Sequence, residues 1–154
     1  MSLNKIIIGF IVILLIFSAI VVLQINKNPN PASKVTIDNQ TFSVELAKTT
    51  AQQQQGLSGR KSLPQDQGML FVFTTPGLTP FWMKDMKFPL DMIFIKDDKI
   101  VTVFRNVPVP ANSKATNLPV YVPTKPANYV LELNAGQASK FDFQNGDDVK
   151  IVLK

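Results

Sequence analysis

Between Ile6 and Ile25 the chain reads IIIGFIVILLIFSAIVVLQI, a run whose only clearly polar members are Ser18 and Gln24. At about 1.5 Å of rise per residue, a helix of that length matches a hydrocarbon core of about 30 Å. A helix packed on the core of a small domain would keep one polar face, and this run has none. A secretory signal peptide is the rival reading. Its apolar stretch is usually shorter, and it ends at small residues in an A-x-A pattern, whereas Phe17 stands two positions before Ala19. The run therefore predicts an uncleaved transmembrane anchor over residues 6–25, behind a short tail of residues 1–5. Lys5 and the amino terminus are balanced by Lys27 and Lys34. With so short a tail ahead of the span, the expected topology is single-pass, with the tail inside and the following domain on the extracytoplasmic side of the membrane.

Residues 26–33, NKNPNPAS, carry two prolines and no large apolar side chain, the composition of an extended linker. Residues 34–154 then form one domain of about 120 residues, enough to close a core of its own. The chain has 16 basic and 11 acidic residues. Lys5 and Lys27 precede the domain and Lys34 stands at its first position beside the linker; setting those three aside leaves 13 against 11. A nearly neutral domain gives no reason to expect nucleic acid as a partner.

The sequence contains no cysteine and no histidine. Disulfides, thiolate or imidazole metal sites, Ser-His-Asp and Cys-His nucleophile systems and cysteine lipidation are thereby excluded. Any acid-base chemistry must come from Asp, Glu, Lys or Tyr. Asp97-Asp98 and Asp147-Asp148 lack the alternating oxygen ligands of a calcium loop and read as solvated turns, so neither a metal nor a cofactor is expected.

Within the domain, Phe42, Val44 and Leu46 alternate with polar residues after an Asp38-Asn39 turn, which pairs this strand with Val35 to Ile37. Thr49 or Thr50 caps a short helix running through four glutamines, Gln52 to Gln55, to Leu57, with Gly56 and Gly59 as its stops and the glutamines as a solvated face. Met69 to Phe73 is a buried strand. Met92 to Ile95 and Ile100 to Phe104 flank Lys96-Asp97-Asp98-Lys99 as a second hairpin. Five prolines between residues 105 and 128 predict a long irregular excursion. Tyr129 to Leu133 and Val149 to Leu153 alternate again, separated by a helical turn before Phe143 and an Asn145-Gly146-Asp147 turn. The expected fold class is mainly β, a β-rich α+β domain: a compact barrel-like or sandwich-like body of seven or eight short strands with one or two short helices.

Several short motifs follow one another in a recognisable order: Gly56-Leu57 with Arg60, Leu63-Pro64, Gly68-Met69-Leu70-Phe71, Phe81-Trp82-Met83-Lys84, Pro89-Leu90-Asp91, Tyr129-Val130-Leu131-Glu132-Leu133 with Ala135-Gly136, and Gly146-Asp147. In these the chain resembles the domain of unknown function 192 family over about Val35 to Lys154. The resemblance implies a compact, mainly β, barrel-like domain, often behind an export signal or anchor, and carries no activity with it. Ser58 stands where that pattern tends to have methionine, and Met86 where threonine is common.

The candidate site residues are Arg60, Trp82, Lys84, Asp91 and Glu132. Read as one strand, residues 81–86 place Phe81, Met83 and Asp85 on one face, and Trp82, Lys84 and Met86 on the other. Trp82 is either a core residue or a stacking platform for a flat ligand such as a sugar, with Lys84 and Asp91 directing hydrogen bonds to it. Glu132, flanked by Leu131 and Leu133, is either exposed on a wet sheet face or buried with a partner such as Arg60 or Lys84. Arg60 either clamps a carboxylate or phosphate, or ties its loop to Glu45 or Asp66.

Three functions follow from these residues. The first is a membrane-tethered binding or accessory module for a small envelope ligand such as a saccharide, with residues 105–128 as the rim of the cleft. The second is an envelope hydrolase with Asp91 or Glu132 as acid or base, which requires both carboxylates to reach one ligand. The third is a structural or assembly partner presenting an exposed apolar patch.

Overall fold

The structure, a computed structural model, describes residues 33–154. The expected tail, the apolar run at 6–25 and residues 26–32 of the expected linker lie outside the described residues. Among the described residues no helix is long and apolar enough to cross a membrane. Ser33 and Lys34, assigned above to the linker and its flanking charge, are strand residues.

Strand β1 (Ser33–Ile37) and β2 (Gln40–Ala47) make the expected opening hairpin, in register from Ser33↔Val44 to Ile37↔Gln40. Asp38 turns it with φ of 49°, a left-handed conformation that Asp tolerates through local hydrogen bonding. β2 then runs parallel to β3 (Gln67–Gly77), and a parallel pair requires a crossover. Helix α1 (Thr50–Gln55) lies in that crossover. Its start is a capping box: Gln52 N donates to Thr49 Oγ1 at 3.2 Å, and Thr49 N donates to Gln52 Oε1 at 3.0 Å.

β4 (Phe81–Trp82), β5 (Leu90–Lys96), β6 (Lys99–Val107), β7 (Val120–Tyr121), β8 (Ala127–Asn134), the short helix α2 (Gln137–Lys140) and β9 (Val149–Val152) complete the domain. Seven strands form one sheet in the order β6-β5-β8-β3-β2-β1-β9, and β4 pairs with β7 alone. The nine strands among the described residues exceed the seven or eight expected by reason of this small pair, whose second member arises inside the proline-rich excursion.

The outermost strands β6 and β9 meet at one end. Lys99 bridges Asp148, Ile100 N donates to Asp147 O at 3.1 Å, and Val149 N donates to Asp98 O at 2.8 Å. The sheet therefore curls into a half-barrel with two distinct faces. All seven strands send residues inward, among them Val35, Phe42, Leu70, Ile93, Ile100, Leu131 and Val149, with Phe143 filling from the segment after α2. The outer face of the central strands carries a second core of Met69, Phe71, Leu90, Met92, Phe94 and Val130. Leu57, Leu63, Phe81, Met83 and Met86 cover it from the crossover and from the segment around β4. Each large apolar side chain removed from water contributes about 1.5–3 kcal/mol, and both layers are needed to bury the two faces of β3, β8 and β5.

Candidate functional site

Strand alternation decides where the two candidate carboxylates go. On β8, Leu131 and Leu133 point into the half-barrel, and Val130 and Glu132 point to the outer face. On β5, Ile93 and Ile95 point inward with Asp91, while Leu90, Met92 and Phe94 point outward. Asp91 pairs across the sheet with Leu133, and Glu132 with Met92. The carboxylates thus lie on opposite faces, and no single ligand reaches both.

Asp91 is fully buried and occupied. Asn106 N donates to its Oδ1 and Ala138 N to its Oδ2, each at 2.7 Å. It holds the start of α2 and the far end of β6 against the inner core, which is a structural role and not the ligand contact expected of it.

Glu132 is buried differently. It is 5% exposed, and its sheet neighbours on either side are Met69 on β3 and Met92 on β5. No group among the described residues hydrogen-bonds to its carboxyl, and burial in these apolar surroundings pushes its pKa up to about 8. The expected partners are elsewhere. Arg60 grips Glu45 with both terminal guanidinium nitrogens, at 2.5 and 2.7 Å, and this hydrogen bonding holds the Glu45 carboxyl below its ordinary range. Arg60 therefore ties its loop to β2, one of the two alternatives read from the sequence.

Above Glu132 lies a cavity of about 230 Å³ between α1, β3 and the segment from Thr79 to Trp82. Its wall carries Leu57, Phe71, Phe73, Phe81, Met86 and Trp82, with the glutamines of α1 and Ser58 at its polar side. Phe81 turns into the core, edge to face with Phe71 at 4.9 Å and Phe94 at 5.5 Å between centroids. The next residue, Trp82, is 57% exposed, so it is not a core tryptophan. Lys84 Nζ lies 6.0 Å from the centroid of its ring.

The alternation expected over residues 81–86 stops after Met83. Asp85 takes φ of 55° and its N–H donates to Ser113 O at 2.9 Å; this turn brings Met86 back inside, and Met83 and Met86 are both buried. Of the five candidates the cavity brings together Trp82 and Glu132. Lys84 stands beside it, and Arg60 and Asp91 are outside it. The excursion of residues 105–128 does not line the cavity; it supplies β7 behind β4 and the Ser113 carbonyl. The rim is α1 and residues 79–82 instead.

The sequence reading missed Gln53, Phe71 and Met86. Gln53 is not merely solvated: its Nε2 donates to Val72 O at 2.9 Å and Ala47 O at 3.4 Å, tying α1 to the sheet. Ser58 and Met86, the two departures from the family pattern, both line the cavity. Ser58 Oγ also donates to Lys84 O at 2.8 Å, joining the two sides of the rim.

The profile of the family described as DUF192, Uncharacterized ACR, matches residues 33–151. No curated protein matches the chain. Among solved structures, a protein of unknown function from Novosphingobium aromaticivorans DSM 12444 is 31% identical, with 76% of this chain and 83% of that one covered and a TM-score of 0.68. A protein named as a candidate transcription regulator from Sinorhizobium meliloti 1021 is 33% identical, with 80% of this chain and 97% of that one covered and a TM-score of 0.67.

Proposed function

This chain belongs to the domain of unknown function 192 family, and from that premise we propose that its half-barrel is a small-molecule binding module whose site is the cavity between α1, β3 and β4. One observation carries the reading: the Glu132 carboxyl is buried at a cavity wall and receives no hydrogen bond from the described residues. Its oxygens open on the cavity, since no fully enclosed side-chain oxygen or nitrogen among the described residues lacks a partner, and a ligand that enters can supply the hydrogen bond the protein does not. The exposed indole of Trp82 at the same cavity adds a flat apolar surface of the kind ligands stack on.

A saccharide as ligand keeps one of its two expected supports. Trp82 offers the stacking face, but Asp91 is committed to backbone N–H groups inside the half-barrel. A hydrolase built on Asp91 with Glu132 loses its geometry altogether, since the two face apart. The apolar run at residues 6–25 supports a tether that holds this module at a membrane, with the domain on the extracytoplasmic side.

A thermal-shift screen of the chain against envelope sugars, short peptides and small amines tests the reading, repeated with Trp82→Ala and Glu132→Gln. A ligand that raises the melting temperature of the wild type and of neither variant supports the site. Equal shifts in all three proteins would place binding elsewhere and end this reading.

A further inference from the structure

We propose that the ligand of this cavity is a small organic cation, an alkylated ammonium group seated between the Trp82 ring and the Glu132 carboxylate. The proposal rests on the cavity being a ligand site, as argued above.

Among the described residues, Glu132 is the only ionisable side chain on the cavity wall. The groups facing it from each packed element are uncharged. β3 and β5 present Met69 and Met92, its own strand presents Val130, and β4 presents Phe81 and Trp82. From α1, Gln53 has its amide N–H groups on Ala47 O and Val72 O. Further along β8, Asn134 has its amide on Leu63 O and Pro64 O. The nearby cations are engaged: Arg60 with Glu45 and Lys84 over Trp82. No side chain of the described residues supplies a counter-charge, and in apolar surroundings an opposite charge a few ångströms away is worth far more than it is in water.

The rest of the wall selects the kind of cation. Phe71, Phe73, Phe81 and Trp82 supply rings, and aromatic rings attract cations while also accepting their alkyl groups. Metal ions and strongly hydrated ammonium would trade water for carbon here and gain one oxygen ligand. An alkylated ammonium gives up little hydration. Lys84 Nζ lies 6.0 Å from the Trp82 centroid, at the outer limit of such contacts. The cavity of about 230 Å³ equals roughly eight waters at about 30 Å³ each and lies below the ~300–1,000 Å³ of sites for drug-sized ligands. A head group such as choline is of the right size.

A cation ionises Glu132 as it binds, so a proton is released and binding tightens as pH rises toward about 8. A neutral sugar accepting a hydrogen bond from the protonated carboxyl would show the opposite trend.

Trp82 is the only tryptophan of the chain, so intrinsic fluorescence reports this site directly. The full-length chain, in an uncharged polyoxyethylene detergent, is titrated with choline chloride, with sodium chloride at matched ionic strength, and with the carbon isostere of choline, in which a quaternary carbon replaces the nitrogen. Choline is expected to bind at least tenfold tighter than the isostere and to tighten between about pH 6 and about pH 8, and Glu132→Gln is expected to erase both differences. Glycerophosphocholine, titrated in parallel, identifies the source: tighter binding than choline indicates a phospholipid head group, and weaker binding a free amine. Equal binding of the isostere, an unchanged affinity in Glu132→Gln, or weakening as pH rises would each overturn the proposal. Stabilisation by a neutral ligand that depends on Trp82, with no response to choline, overturns the cation and keeps the cavity as a site; silence to every probe overturns both.

Discussion

Asp91 and Glu132 sit one residue out of register on the adjacent strands β5 and β8, and that single step puts one carboxyl inside the half-barrel and the other outside it. The same residue chemistry then meets two environments. Asp91 receives two backbone N–H groups, whereas Glu132 receives none from the described residues. One carboxylate is tied into the fold, and the other has no partner among the described residues.

Replacing Asp91 with Asn tests the first half of that contrast. The amide keeps one acceptor oxygen and turns an NH₂ toward a backbone donor, so one N–H loses its partner and the other loses a charged one. Hydrogen bonds to charged groups are worth about 1.5–3 kcal/mol. Denaturant unfolding of Asp91→Asn should show a loss of that order, with ligand affinity of the folded protein unchanged.

Glu132 gives the opposite outcome and a pH signature. Its folded pKa of about 8 lies above its ordinary 4.5. Its contribution to stability is thus fully present below about 4.5 and lost as pH rises to about 8, because the unfolded chain can shed the proton and the folded one resists. At pH 7 the cost is on the order of 3 kcal/mol. The melting temperature of the wild type should fall between about pH 5 and about pH 8. Glu132→Gln, which cannot ionise, should flatten that slope and be the more stable protein at pH 8.

The glycine of the Gly68-Met69-Leu70-Phe71 motif has a steric reason. A Cβ at Gly68 would lie 2.8 Å from the backbone oxygen of Glu132 and 2.8 Å from Leu133 Cδ2. Backbone cannot retreat as a flexible side chain does, so Gly68→Ala must push β3 away from β8. A loss of about 1–3 kcal/mol is expected, as for other overpacked cores, and chemical unfolding measures it. Because β8 carries Glu132, this variant should also weaken any ligand at the cavity.

Most of the sheet was legible because its signals are local. The Asp38-Asn39 and Asp97-Asp98 turns, a threonine cap at Thr49 or Thr50 and the alternation of β2 each follow from a few adjacent residues, and the structure has both turns, the alternation and the cap at Thr49. The site was less legible because it depends on register between distant strands. The sequence around Glu132 shows a carboxylate between leucines, but only pairing with Met69 and Met92 makes its surroundings apolar. Residues 81–86 failed for a different reason. Their alternation resembles a strand, but Pro80 and Pro89 bound the segment, and Asp85, a residue type that tolerates positive φ, breaks it midway. Gln53 gave no signal at all, since one glutamine among four is distinguished only by the carbonyls it meets.

Trp82 separates binding from folding most cleanly. Its ring is more than half exposed and pairs across the small sheet with Val120, itself 52% exposed. Truncation removes little buried surface, and substitutions at such positions usually change stability by less than about 0.5 kcal/mol. The adjacent Phe81 packs against Phe71 and Phe94 and holds β4 in place without it. Trp82→Ala should therefore melt within a few degrees of the wild type. If the indole is the stacking face of the site, the same variant should lose at least tenfold in affinity for whatever ligand the screen identifies, with Trp82→Phe recovering part of it because a smaller ring still offers a π-face. Scanning calorimetry of the three proteins reads the melting temperature, and isothermal titration reads the affinity. An alanine variant that binds as well as the wild type would leave Trp82 as exposed apolar surface beside its cross-strand neighbour Val120, and the assembly role would then account for the residue better than a ligand does.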